Sequence, residues 1–168
     1  AVVAAAIVLS NVMITVRIPS VVEQVGHGTA QTAGIILATM QFVGILAGLA
    51  FSPLTQLFRD RLLVVSGVAY GLTQLLIGVS TNLWMLAIVT ILAGFAYSVA
   101  LTTVYNVLSD QMPAGVLSQA TSIAVLGCSA GSIATTFVLS LLGTISSAPA
   151  FIFGFSGILM ILISFFGL

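Results

Sequence analysis

Charge is what this sequence lacks. Of 168 residues only three are basic and three acidic, none is lysine, and there is one cysteine, one histidine and one tryptophan. A soluble domain is about one-quarter charged, so a chain with 4% charged residues has no means of covering itself for water. The missing lysines and zero net charge argue against a nucleic-acid partner and against a polybasic lipid-binding tail. One thiol, Cys128, makes no intrachain disulfide, and the carboxylate, thiol and imidazole groups are too few and scattered to hold a metal. No metal or cofactor is expected. What remains is apolar: 60% of residues are hydrophobic and the mean hydropathy is +1.32. The solvent of such a chain is lipid.

A hydrocarbon core about 30 Å thick takes roughly 20 apolar residues per helix. Turn residues punctuate the chain into six such spans. They run over about 1–24, 32–57, 62–79, 83–108, 118–143 and 149–168. The breaks are Gly26-His27-Gly28, Arg59-Asp60-Arg61, Ser80-Thr81-Asn82, Ser109 to Pro113, and Ser146-Ser147. Ser118 is expected as the N-cap of the fifth span, and Pro149 suits the first turn of the sixth. Alternating ten-residue segments of the barrel kind are missing. The expected fold is therefore an all-α membrane protein, a single bundle of six transmembrane helices with antiparallel neighbours. Ala1 lies inside an apolar run with no basic region before it, which is read as a cut or processed end rather than a signal peptide. Six spans place both termini on one side with Arg59 and Arg61. The positive-inside rule makes that side cytoplasmic, with His27, Asn82, Ser146 and the interfacial Trp84 opposite.

Small residues recur four apart at Gly44/Gly48, Gly67/Gly71 and Gly127/Gly131, spacing that lets helices approach closely in lipid. An offset of about 88 residues lays Gln31-Thr32-Ala33-Gly34-Ile35 on Gln119-Ala120-Thr121-Ser122-Ile123, Ile45 on Ile133 and Leu54 on Leu142. It divides the chain into repeat one, about 1–80, and repeat two, about 81–168. Three helices repeated in sequence alternate in direction, so these are two inverted three-helix repeats of the kind carriers use.

The segment Gly44 to Gly48, continuing through Ser52-Pro53-Leu54 to Arg59-Asp60-Arg61, resembles the second helix and following loop of a major facilitator superfamily half. That loop reads G-x-L-a-D-r-x-G-r-r in the family. Here Ser52 stands on the first Gly, Leu54 on the Leu, Gln56 on the Asp and Arg61 on a terminal Arg, so the Asp and second Gly are missing. A degraded loop is more typical of the carboxy-terminal half. Ile91 to Tyr97 and Asp110 to Gly115 resemble that half's fourth helix and loop. The resemblance implies half of a twelve-helix secondary transporter, whose first and fourth helices line a central cavity.

The polar residues fit that implication better than they fit catalysis. Gly154-Phe155-Ser156-Gly157 matches the G-x-S-G of rhomboid proteases, but the mechanism needs a histidine as base. The one histidine, His27, precedes the serine and lies at the opposite face, so a small-residue packing role is expected and no enzyme activity. On the first span Ser10, Asn11, Thr15 and Arg17 share a sector of roughly 160° at 100° per residue. On the fourth, Tyr97, Leu101 and Tyr105 form a stripe with Ser98 and Thr102 beside it. Polar groups on a membrane helix face a cavity or another helix. The expected substrate cavity is Asn11, Thr15, Arg17, Tyr97, Ser98, Thr102 and Tyr105. Arg17, about 24 Å along its helix, either snorkels to the outer headgroups or serves as a cavity cation. Glu23 is not on its face.

These readings give half of a secondary-active carrier moving a small solute by alternating access, with a second six-helix half and the bilayer as partners. The setting implied is a bacterial inner membrane. Two other readings stay open: a half-size protein working as a homodimeric carrier, and a non-transporting scaffold subunit. In the resembled family the loop after the second helix meets the end of the fourth. Arg59, Asp60, Arg61 and Asp110 are therefore expected to form a cytoplasmic gate in which Asp110 pairs with Arg61 or Arg59.

Overall fold

In the computed structural model the described residues are 2–26, 28–58, 61–145 and 148–166. They form six helices: α1 (Val2–Gly26), α2 (Ala30–Phe58), α3 (Leu62–Gly78), α4 (Leu83–Gln111), α5 (Ala114–Ile145) and α6 (Pro149–Phe166). Among the described residues there is no strand. The six expected spans are all present. Four of the helices are long and apolar enough to cross a membrane. The 17 residues of α3 and 18 of α6 reach only about 26 and 27 Å at 1.5 Å per residue.

Local chemistry sets the helix ends. Thr29 precedes α2 and its hydroxyl accepts from Thr32 N at 3.3 Å. Asn82 caps α4, its Oδ1 accepting from Trp84 N at 3.0 Å, which satisfies one of the first orphan donors. At the end of α1, Gly28 N bonds back to Val22 O, and a Cβ on Gly28 would collide with the Val22 side chain. Pro149 is the first residue of α6, as expected, with Ala148 O accepting from Phe151 and Ile152. Ser118 is not a cap. Pro113 O already accepts from Val116 and Leu117, so α5 begins at Ala114, directly after the proline and four residues before Ser118. Pro19 and Pro53 lie inside α1 and α2.

Close backbone contacts fix the directions and partners of the helices. A Cβ on Gly131 of α5 would strike the backbone of Ala5 on α1, and four residues further along both, Thr135 Oγ1 bonds Leu9 O at 3.3 Å. These two helices therefore run parallel. Gly94 of α4 rests on the Met40 backbone, and Gly44, one turn on, faces Ser98, so α2 and α4 are also parallel. Between α3 and α6 the order reverses, with Gly67 on Ser164, Gly71 on Gly157 and Ile161, and Gly78 on Ala150. Exchanging α1–α3 for α4–α6 turns the α1–α5 pair into α4–α2 and the α3–α6 pair into itself. The smaller core clusters follow the same exchange. Met13, Leu142 and Ile152 join α1, α5 and α6, while Val99, Ala47 and Leu62 join α4, α2 and α3. The main cluster, including Ile7, Ile14, Tyr70, Ala93, Ala100 and Phe153, lies between them. This is the pair of inverted three-helix repeats that the offset pointed to.

Candidate functional site

Most hydroxyls inside the helices bond the carbonyl one turn back, as Thr103 does to Val99 O at 2.7 Å and Ser66 to Leu62 O at 2.7 Å. Such a group is satisfied within its own helix. The residues that look outward from their helix are therefore the informative ones. On α1, Ser10 is fully buried and meets Ser156 of α6 at 3.1 Å. The G-x-S-G serine is thus engaged in helix packing. Its neighbour Gly157 supplies the contact to Gly71, and His27 lies outside the described residues. Asn11 is 8% exposed and its Oδ1 has no protein partner. Thr15 is exposed and donates to Asn11 O at 3.0 Å.

The tyrosines of α4 divide between two neighbours. Tyr97, half-buried, packs its ring on Tyr70 of α3 with centroids 5.9 Å apart and planes at 51°. Tyr105, also half-buried, brings its hydroxyl to 3.7 Å from the Cys128 thiol of α5. Ser98 lies against Gly44 of α2, and Thr102 is half-buried. A tyrosine ring offers apolar area with one polar tip, so this face of α4 can take a solute of mixed polarity.

Arg17 turns elsewhere. Its guanidinium lies about 4.0 Å from where a side chain on Gly143 of α5 would begin, and with Ser20 and Gln24 it borders a narrow cleft closed by Pro149 and Phe153 of α6. It makes no ion pair with the exposed Glu23, as their spacing implies. Asp110 and Arg61, both exposed, make no ion pair with each other in this conformation. The Asp110 carboxylate accepts instead from the Asn106 amide, one turn earlier, at 3.5 Å. A donor on the same helix reaches the carboxylate without ordering a long arginine across a solvated gap, where such a pair gains little. Arg59 and Asp60, the other half of the expected gate, lie outside the described residues. With Thr55 and Thr103, and beside Leu62, Leu63 and Val107, Asn106 and Asp110 line a cleft of mixed polarity of about 340 Å³ where α2, α3 and α4 meet. Trp84 is 78% exposed at the opposite end.

One exposed surface was not picked out from the sequence. On α2 an exposed stripe reads Gly34, Ala38, Gln41, Ile45, Gly48, Ser52, Gln56; on α5 it reads Ser122, Leu126, Ser129, Ile133, Thr136, Ser140, Thr144. The 88-residue offset maps the first onto the second residue for residue. The signal was present in the repeat, but its meaning depends on exposure, which apolar periodicity alone does not give. Only 17% of the most apolar stretch of either helix is buried, against 50% for α1 and 44% for α4. Two other residues had no sequence signal: Tyr70 and Gln74, buried polar groups inside apolar α3.

Six helices arranged as two exchangeable trios, four of them long and apolar enough to cross a membrane, form an inverted-repeat bundle of the kind membrane transporters use. The sequence matches the Major Facilitator Superfamily over residues 1–168, and the chain belongs to that family. No curated protein matches it.

Proposed function

We propose that the chain acts as one six-helix half of a secondary-active transporter, moving a small solute by alternating access against a second six-helix unit. The observation that carries this is the matched pair of exposed stripes on α2 and α5. Gln, Ser and Thr side chains are costly against lipid, and glycine and serine at four-residue spacing favour close helix contact in a membrane. Two such stripes at equivalent positions suit docking to another unit built on the same plan. Asn11 and Thr15 on α1 and Tyr97, Ser98, Thr102 and Tyr105 on α4 are the proposed cavity wall, with Arg17 at its outer edge, turned toward α5 and α6. Arg61 and Asp110, with Arg59 and Asp60, are the proposed gate. Arg59 and Arg61 set their end in the cytoplasm by the positive-inside rule, and the termini with them, in a bacterial inner membrane. The repeats of this single domain meet at the turn 79–82.

Assembly mass tests the reading. Light scattering of the detergent-solubilised protein should give a particle of about twelve helices, as one polypeptide or as two copies of this chain. Leucine at Gly48 and at Thr136 should split a two-copy particle or loosen a one-polypeptide particle. A stable six-helix particle, indifferent to both changes, refutes the docking role. Thermal stabilisation by a small solute from a screened set separates a carrier from a scaffold, which should respond to none.

A further inference from the structure

Three fully buried side chains of α3 and α4 carry polar atoms that no protein group satisfies. Gln74 has neither its amide nitrogen nor its amide oxygen paired, and the hydroxyls of Tyr70 and Thr90 are likewise without protein partners. All three residues are 0% exposed. Tyr70 and Gln74 are neighbours, and helix register brings Thr90 to the same depth of the core. Gln74 is one turn beyond Tyr70 on the same face of α3, and its side chain sits beside the Tyr70 hydroxyl, though neither has hydrogen-bond geometry to the other. Tyr70 rests on Tyr97 of α4, and Thr90 is two turns from Tyr97 along one face of that helix. Because α3 and α4 run antiparallel, Gln74 falls at the level between Tyr97 and Thr90.

Buried polar atoms in native structures are almost always paired, with protein or with ordered water. The donor set decides what belongs here. A cation would take up the oxygens and leave the Gln74 amide hydrogens facing positive charge. The carboxylates that might balance it, Glu23 and Asp110, stand near helix ends and are exposed. An apolar ligand would leave every one of these atoms unpaired. Water both donates and accepts, and a buried water typically makes about three hydrogen bonds. We propose that Gln74, Tyr70 and Thr90 frame an internal water site within the membrane-embedded core. The ring of Tyr97 partitions it from the face that α4 offers to solute. The assignment does not depend on the transport reading, since it rests on atoms inside one bundle.

X-ray hydroxyl-radical footprinting of the full-length protein in lipid nanodiscs tests it, because radicals form from bound water and mark the side chains beside it. Tyr70 should be modified in spite of its burial, while Phe153, an aromatic ring equally buried in the same core cluster, should stay unmodified. Gln74→Leu should bring Tyr70 labelling down to the level of Phe153, leave Tyr97 labelling unchanged, and lower the thermal midpoint. Thr90→Val, which exchanges one hydroxyl for a methyl, should lower both more weakly and serves if the leucine variant does not fold. Wild-type Tyr70 as protected as Phe153 would overturn the proposal. So would a raised midpoint in Gln74→Leu, the behaviour of a dry site relieved of orphaned atoms.

Discussion

Gly71→Ala is the sharpest test of how the bundle is held together. A Cβ on Gly71 would lie 2.7 Å from Gly157 O and 2.7 Å from the Ile161 side chain, where ordinary contact begins at 3.4 Å. The carbonyl belongs to helical backbone and cannot swing aside, so α3 and α6 must part by about 0.7 Å at their crossing. A gap of this order forfeits between a quarter and a half of the dispersion attraction of the atoms affected. Forcing extra volume into a packed core costs about 1–3 kcal/mol. Replacing glycine by alanine within a helix returns about 0.5–1 kcal/mol. The net loss is then of order 1–2 kcal/mol. Gly154→Ala is the internal control, because nothing lies within 4 Å of its Cβ position; helix propensity alone should stabilise it by about 0.5–1 kcal/mol. Reversible unfolding in mixed detergent micelles should separate the two variants by roughly 1.5–3 kcal/mol. The double variant Gly71→Ala/Gly157→Ala should fall short of the sum of its parts, since one separation of the helices relieves both collisions. Equal stability of Gly71→Ala and Gly154→Ala would show that α3 and α6 do not cross at these glycines.

Ser156→Ala leaves the buried Ser10 hydroxyl without its partner and should cost about 1–3 kcal/mol, whereas Ser10→Ala/Ser156→Ala should recover part of that loss in the same unfolding assay. In a Cys128→Ser background, cysteine at position 82 should react with impermeant thiol reagents from outside and cysteine at 61 from the cytoplasm; the reverse pattern would invert the assigned orientation. Cysteines at 11, 15, 98 and 102 should react from water if α1 and α4 border a cavity, and labelling confined to lipid-soluble probes would refute it. A double-mutant cycle on Asp110→Asn and Arg61→Gln, read as accessibility from the two sides, should show coupling only if the gate closes in another conformation; strict additivity would exclude the pair.

The sequence carried the helices well and their rotations poorly. Spans were legible because turn residues interrupt long apolar runs, and the six helices fall within a few residues of them. The Ser118 cap failed because proline itself can open a helix. Among the small-residue pairs, Gly67 and Gly71 are true crossing points, while Gly48 meets nothing within 4 Å and belongs to the outward stripe. Spacing cannot separate these cases, since both faces of such a helix are apolar enough for lipid and periodicity loses its meaning. The same limit applies to the polar residues. The tyrosine stripe was readable as a face, but that Tyr97 leans on α3 and Tyr105 on α5 follows from packing alone. Arg17 could be placed along the membrane by counting residues, not toward α5 and α6. Gln74 and Tyr70 look like isolated polar residues in the sequence and become a site only when two helices close over them.

The pairing of α1 with α5, and of α2 with α4, also governs how the protein is made. Thr135 reaches a carbonyl 126 residues earlier in the chain. Helix α1 therefore waits for α5 before its glycine-bearing seam can close, and α3 waits for α6. A nascent chain that stops after α3 holds three of the six helices of this bundle and has closed none of the α1–α5, α2–α4 and α3–α6 seams. Insertion and folding are separated in time here, and through that interval lipid, not protein, covers the faces that later touch. Small residues at those faces serve the interval as well as the finished bundle: glycine and alanine present little side-chain surface for acyl chains to grip, so the lipid is readily displaced when the late helices arrive.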